Sequence, residues 1–203
     1  MNFAGDFRSL GELDVSGLKQ TVSTINDAKW AEYSERQQTY SDIHQYTQTI
    51  GLIYDSDMRH KDGTVHPIYH ELEDLVKPVE NHIAAFYRQQ KPHILESRRD
   101  QKPYFARIIL VMLKAGGVIS KHKDGSPSMR RCHRIHLPLV TNPEVIFDVG
   151  EASVSMAEGE LWEINNRREH AVANNSDFDR VHLILDYVIA GEKIRDTKGF
   201  VIC

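Results

Sequence analysis

From Tyr104 onward the chain breaks into short, closely spaced segments with a β-branched bias, cut by Gly, Pro, Asn and Asp, and this punctuation limits the fold more than any other feature. Residues 105–113 are almost continuously apolar and end at Gly116-Gly117; further strand-like segments follow at 134–140, 145–149, 154–156, 159–164 and 180–189. The first half reads differently. Ser16 stands where it can cap a short helix through Ile25. Pro67 suits a first helical position, and Ile68, Leu72, Leu75, Val76, Val79, Ile83 and Phe86 then recur at spacings of three and four. Pro78 lies inside that pattern and is expected to kink or divide the helix. A helical half followed by many short strands predicts a mainly β, α+β fold: a sandwich or barrel with N-terminal helices packed on one side. Residues 1–203 read as one domain, with a helix-containing support over about 1–100 and a barrel over about 101–190.

Composition narrows the function classes. The chain has 203 residues, 40% of them hydrophobic and 27% charged, which is enough for a real core. A net charge of -4 argues against a nucleic-acid partner, which calls for a concentrated basic surface. Cys132 and Cys203 do not form a disulfide framework, so a reducing, cytoplasmic setting fits. The opening residues lack the apolar core of a signal peptide, and no apolar run is long enough for a bilayer, so no membrane partner is expected.

One constellation carries chemistry. His122 and Asp124 flank a single residue just past the 105–113 strand and its glycine turn, and in extended backbone positions i and i+2 project to the same side. His170 follows 46 positions after Asp124, and Arg180 ten positions after His170. Two imidazoles and a carboxylate form the facial set that binds Fe(II) and leaves coordination positions open, and a fixed cation nearby can hold a small acid. These are the parts of an oxygenase that uses Fe(II), 2-oxoglutarate and O2. The competing reading places His122 and Asp124 in an exposed polar loop and Arg180 on the surface, paired with Asp177 or Asp179. Arg134 and His136 alternate with Ile135 and Leu137, so they line either the barrel interior or the solvent face of an edge strand. Arg130, Arg131 and Arg168 are further candidates for a substrate carboxylate. His66 and His70 have a zinc-compatible spacing without a third ligand and read as a solvated helix end. Residues 39–64 show no clear periodicity and are a candidate substrate lid.

Over residues 113–187 the sequence resembles the aspartyl/asparaginyl β-hydroxylase family, which includes cis-hydroxylases of free proline. The matching pieces are Gly116-Gly117-Val118-Ile119 leading to His122, the run Cys132-His133-Arg134-Ile135-His136-Leu137-Pro138, Glu158-Gly159-Glu160-Leu161-Trp162, His170-Ala171-Val172-Ala173-Asn174, and Arg180. The resemblance implies a double-stranded β-helix, the jelly-roll or cupin-like barrel, with His122, Asp124 and His170 as Fe(II) ligands. It also implies that Arg180 binds the distal carboxylate of 2-oxoglutarate, with Arg134 and His136 supporting that cosubstrate. The expected reaction is hydroxylation of an unactivated C–H bond of an amino-acid or peptidyl substrate, coupled to conversion of 2-oxoglutarate to succinate and CO2. Animal protein hydroxylases of the family have Gly in place of Asp124 and carry a helical-repeat extension; this chain departs from both, which moves the expectation toward a small substrate. The alternative from another class is a non-catalytic jelly-roll protein that binds a metal or ligand.

Overall fold

The computed structural model describes residues 3, 5–32, 38, 40–97, 101–193 and 201. Cys203, and Thr39 at the head of the candidate lid, lie outside the described residues. The first half runs β1 (Phe7–Glu12), α1 (Ser16–Ser23), α2 (Asp27–Ala31), α3 (Ser41–His44), β2 (Thr47–Ile53), α4 (Pro67–Gln90) and α5 (Pro92–Ser97). The second half runs β3 (Tyr104–Leu113), β4 (Val118–His122), a 3-10 turn (Met129–Arg131), β5 (His133–Val140), β6 (Val145–Val149), β7 (Ala152–Val154), β8 (Glu160–Ile164), β9 (His170–Asn174) and β10 (Arg180–Val188).

The strands form two antiparallel sheets in the arrangement of a jelly roll. The major sheet has the order β1-β8-β5-β10-β3-β2, and the minor sheet β4-β9-β6-β7. One face of the major sheet is covered by helices. Val181, Leu183, Leu185 and Tyr187 of β10 join a core with Leu18 of α1, Trp30 of α2 and Val76, Val79 and Ile83 of α4. A second core, including Leu113, Ile119, Phe147 and Val172, lies between the sheets. All nine residues of β10 are buried, because the strand has helices on one side and the barrel interior on the other. At the turn into β8, Gly159 has φ +85, and a Cβ there would collide with the Leu13 carbonyl, so a left-handed glycine ties the N-terminal segment to the barrel.

Four local expectations change. Ser16 does not cap α1: Val15 holds the N-cap position without a side-chain bond, the Ser16 amide donates to Asp14 Oδ1 at 2.9 Å, and the helix ends at Ser23. Pro78 leaves α4 undivided, since burial of Val76, Val79, Ile83 and Tyr87 outweighs a proline cost of about 3 kcal/mol. The segment expected at 154–156 pairs instead as Ala152–Val154, where the Gly150 turn sets the register with β6. The first half also supplies two strands, β1 and β2, both interrupted by register shifts beside a glycine that hide their alternation. Among the described residues, no helix is long and apolar enough to cross a membrane.

Candidate metal and cosubstrate site

His122 ends β4 and His170 begins β9, and the two are direct cross-strand partners. Between Ile119 and His122 the register shifts by one extra residue on β4, a bulge that re-aims the end of that strand. Asp124 follows in the loop, and its amide donates to the Asn166 carbonyl at 3.1 Å. One ligand atom from each of His122, Asp124 and His170 lies within 4.8 Å of the others. Asp124 Oδ1 is 3.9 Å from His122 Nε2 and 4.0 Å from His170 Nε2.

The surroundings prepare each group for a cation. His122 Nδ1 contacts the Ser120 carbonyl at 2.7 Å, and His170 Nδ1 the Arg168 carbonyl at 3.0 Å. A carbonyl only accepts, so both Nδ1 atoms carry the proton and both Nε2 lone pairs are free to ligate. Burial holds the His170 pKa below its ordinary value, against the opposing pull of Asp124. Asp124 Oδ2 accepts from Asn166 Nδ2 at 3.0 Å and meets Arg134 Nη1 at 3.0 Å, which leaves Oδ1 toward the imidazoles. Nothing in the sequence singled out Asn166, one of two adjacent asparagines in a turn; it is fully buried.

The deeper part of the site is lined by His136, Phe147, Val172, Arg180 and Ile184 as well as by His122 and His170, around a cavity of about 30 Å³. Arg180 is 1% exposed, and Asp179 pairs with Lys114 rather than with it. Among the described residues its Nε and Nη1 have no hydrogen-bond partner, and the same holds for Nε2 of His136 and of His182. Burial without a counter-charge pushes the Arg180 pKa down to about 9. Burial, followed by the nearby Arg180, holds both histidines well below their ordinary value, so they are neutral. Unpartnered buried polar atoms are costly, and Arg180 and His136 both line this one small cavity. A carboxylate would satisfy Arg180, so the donor set fits a divalent ion at the mouth and an acid group behind it.

Arg134 has an observed task beside the cosubstrate role expected for it. Its Nε and Nη2 donate to Asp186 at 2.9 and 2.8 Å while Nη1 holds Asp124, so it braces a candidate ligand against β10. Asp124 and Asp186, with burial opposing, keep its pKa raised. Three residues not anticipated from the sequence also shape the site. Asp186 receives Arg107 as well as Arg134, and His44 on α3 sets its ring edge-on to His122 with centroids 5.7 Å apart. Of the other candidates, Arg168 pairs with Asp6, Arg130 and Arg131 are exposed, and His70 sits on the surface beside Glu73. Residues Tyr40, Ile43, Tyr54 and Met58, from the segment expected to act as a lid, form walls of a second cavity on the outer side of the ligand set.

A family model described as Aspartyl/Asparaginyl beta-hydroxylase matches residues 68–189, which is 122 of the 203 residues. No curated protein matches the sequence. Among solved structures, the fold is similar to that of an oxidoreductase of the 2OG-Fe(II) oxygenase family from Burkholderia pseudomallei, with a TM-score of 0.53 and 11% identity over 70% of this chain and 66% of that one. The chain thus spans just under two thirds of that protein's length. It is also similar to a viral collagen prolyl hydroxylase from Paramecium Bursaria Chlorella virus-1, with a TM-score of 0.51 and 11% identity over 91% of this chain and 96% of that one. A Pseudomonas putida prolyl-4-hydroxylase gives a TM-score of 0.50 and 11% identity over 92% and 94%. At these identities the likeness is one of fold.

Proposed function

The chain belongs to the aspartyl/asparaginyl β-hydroxylase family, and within that family we propose that it is an Fe(II)- and 2-oxoglutarate-dependent dioxygenase that hydroxylates an unactivated C–H bond of an amino-acid-type substrate. The overall conversion would consume O2 and turn 2-oxoglutarate into succinate and CO2. The observation that carries this reading is Arg180, a fully buried guanidinium with no counter-ion among the described residues, behind a His-Asp-His set. A structural arginine is paired; this one supports the reading of a site shaped for an acid.

His122, Asp124 and His170 would hold Fe(II), which supplies the activation of O2 when bound. The protein's own part is positional. Arg180 pairs with the far carboxylate of the cosubstrate, and neutral His136 lines the same cavity without adding charge, its Nδ1 facing that of His182 at 3.5 Å. Arg134 and Asn166 keep Asp124 Oδ2 occupied, so that carboxylate presents Oδ1 alone. Phe147, Val172 and Ile184 wall the inner cavity and exclude water, which strengthens each polar contact within it. His44, like His122 and Arg134, lines both the inner and outer cavities.

The test is an anaerobic titration of Fe(II)-loaded protein with 2-oxoglutarate, reading the weak visible charge-transfer band. Wild type is expected to develop the band and Arg180→Ala to lose it at the same concentrations. Absence of the band in metal-loaded wild type overturns the oxygenase reading. Succinate release across free amino acids and short peptides containing Asp, Asn or Pro then separates the substrate classes.

A further inference from the structure

Three charged side chains cross the inner face of the major sheet in one row. Asp186 on β10 stands directly across from Arg107 on β3 and from Arg134 on β5. Arg107 Nε donates to Asp186 Oδ2 at 2.6 Å, and Arg134 donates to the same carboxylate through Nε and Nη2 at 2.9 and 2.8 Å. Arg134 Nη1 then meets Asp124 Oδ2 at 3.0 Å. The charges therefore run plus, minus, plus, minus, and the last belongs to a candidate metal ligand.

All four members are buried, so water screens them little and each acts strongly on its neighbours. Burial works against the Asp186 carboxylate, yet Arg134 and Arg107 hold its pKa well below the ordinary range, and it is ionised. The other contacts of Arg107 are neutral: Ser128 Oγ at 2.7 Å, and Cys132 Sγ at 3.6 Å, a thiol whose pKa burial pushes up. Stability does not call for such a row, because apolar side chains of similar volume often hold a buried position as well as an ion pair does. On the same face, Ile184 across from Ile109 shows that an apolar pair fits between β10 and β3. The row ends on a ligand, and its effect there follows from how charge is shared. Arg134 divides one positive charge between Asp124 and Asp186, and Asp186 divides one negative charge between Arg134 and Arg107. The more Arg134 is engaged by Asp186, the less it neutralises Asp124. Arg107 works in the opposite sense, by drawing on Asp186.

We propose that Asp186 is a positioning residue for the metal centre: by engaging Arg134 it limits how far that guanidinium neutralises Asp124, and so raises the affinity for a divalent ion, with Arg107 as the opposing control. This rests on one part of the proposed function, that His122, Asp124 and His170 hold a divalent ion, and not on 2-oxoglutarate.

The experiment measures Zn(II) affinity by competition with a chromogenic chelator in wild type, Asp186→Asn, Arg107→Met and the double variant. Asp186→Asn is expected to bind on the order of 10–100-fold more weakly. Arg107→Met is expected to bind about three- to tenfold more tightly, since a cation is removed and Asp186 passes wholly to Arg134. The double variant, which loses one charge of each sign, is expected to return to within about threefold of wild type. Structural damage would instead weaken binding in both single variants and accumulate in the double one. If Asp186→Asn does not fold, Arg107→Met and the double variant still read the sign. Equal or weaker binding in Arg107→Met, or a double variant that binds no more tightly than Asp186→Asn, overturns the proposal and leaves the row a structural brace. Opposed shifts in a protein that shows no charge-transfer band with Fe(II) and 2-oxoglutarate overturn the oxygenase reading and leave the positioning role standing. No Zn(II) binding in wild type overturns both.

Discussion

Arg180 concentrates the site's logic in a single side chain. Burial without a counter-charge depresses its pKa in the folded protein to about 9, so just above that pH the unfolded chain binds the extra proton. Its cost to folding is therefore full below about pH 9 and eases above it. Arg180→Met is expected to stabilise the ligand-free protein by roughly 1–3 kcal/mol in urea unfolding while abolishing 2-oxoglutarate binding. In wild type, 2-oxoglutarate affinity measured calorimetrically should stay level up to about pH 9 and weaken beyond it, as the anion's partner loses its proton. Asn166 acts through another residue. Asn166→Ala frees Asp124 Oδ2, and competition with a chromogenic chelator should show metal affinity reduced about 10–100-fold with the fold intact. The sequence displayed His122, Asp124, His170 and Arg180 because their chemistry is unusual in that order. Arg107, Asn166 and Asp186 were not legible, since their meaning depends on which strands lie side by side.

Secondary structure was legible where one periodicity dominated. The apolar stripe of α4 and the run of β3, buried from Ala106 to Leu113, announce themselves, while β1 and β2 each lose their alternation to a register shift beside a glycine. β9 escaped notice for another reason: it is short, and its buried His170 and Asn174 read as polar. Asn174 spends its amide on the carbonyls of Leu113, Lys114 and Phe178, stitching a turn rather than joining the metal site. On the helix side of the major sheet, His133 of β5 sits between Glu163 and Glu192, with Tyr87, Arg8 and Lys91 completing a buried ionic group. Burial works against the imidazolium, but the two carboxylates raise its pKa above 6.5. Burial likewise opposes the Glu192 carboxylate, yet His133 and Lys91 pull it down to about 2. The stabilisation from His133 is complete below pH 6.5 and is lost as pH rises through its raised value. That from Glu192 is complete above pH 4.5 and is lost as pH falls toward about 2. Thermal melts across pH should therefore show this group at full strength between about pH 4.5 and 6.5. His133→Phe should flatten the alkaline side of the profile without altering metal affinity.

At the scale of the whole molecule, the jelly roll with helices on one face was readable from the succession of segments, because two-sided burial of the central strands needs a cover on each side. The pairing order was not, since antiparallel strands far apart in sequence meet through the fold as a whole. The candidate ligand groups come from the minor sheet and the loop after β4, and the proposed cosubstrate groups from the major sheet, so filling the site should tie the two sheets together. With metal bound and 2-oxoglutarate at a hundred times its Kd, linkage gives about 2.7 kcal/mol of added stability. For a chain of this size that corresponds to a Tm rise of about 5–10 °C in scanning fluorimetry. Metal with glutarate, which lacks the 2-oxo group, should give a smaller rise, and a Tm unmoved by either acid would count against the inner cavity as their site.

The wholly buried β10 has one more consequence. Its even positions carry the polar groups of the cavities and its odd positions the apolar groups under the helices, so moving the strand by one residue would exchange the two sets along its length. Arg180 and Asp186 would then face the helices, and Val181 and Leu185 the site. Such a slip has no stable product. A chain that has packed its helices at all has also installed its arginine, and assembly of the core doubles as proofreading of the active residues.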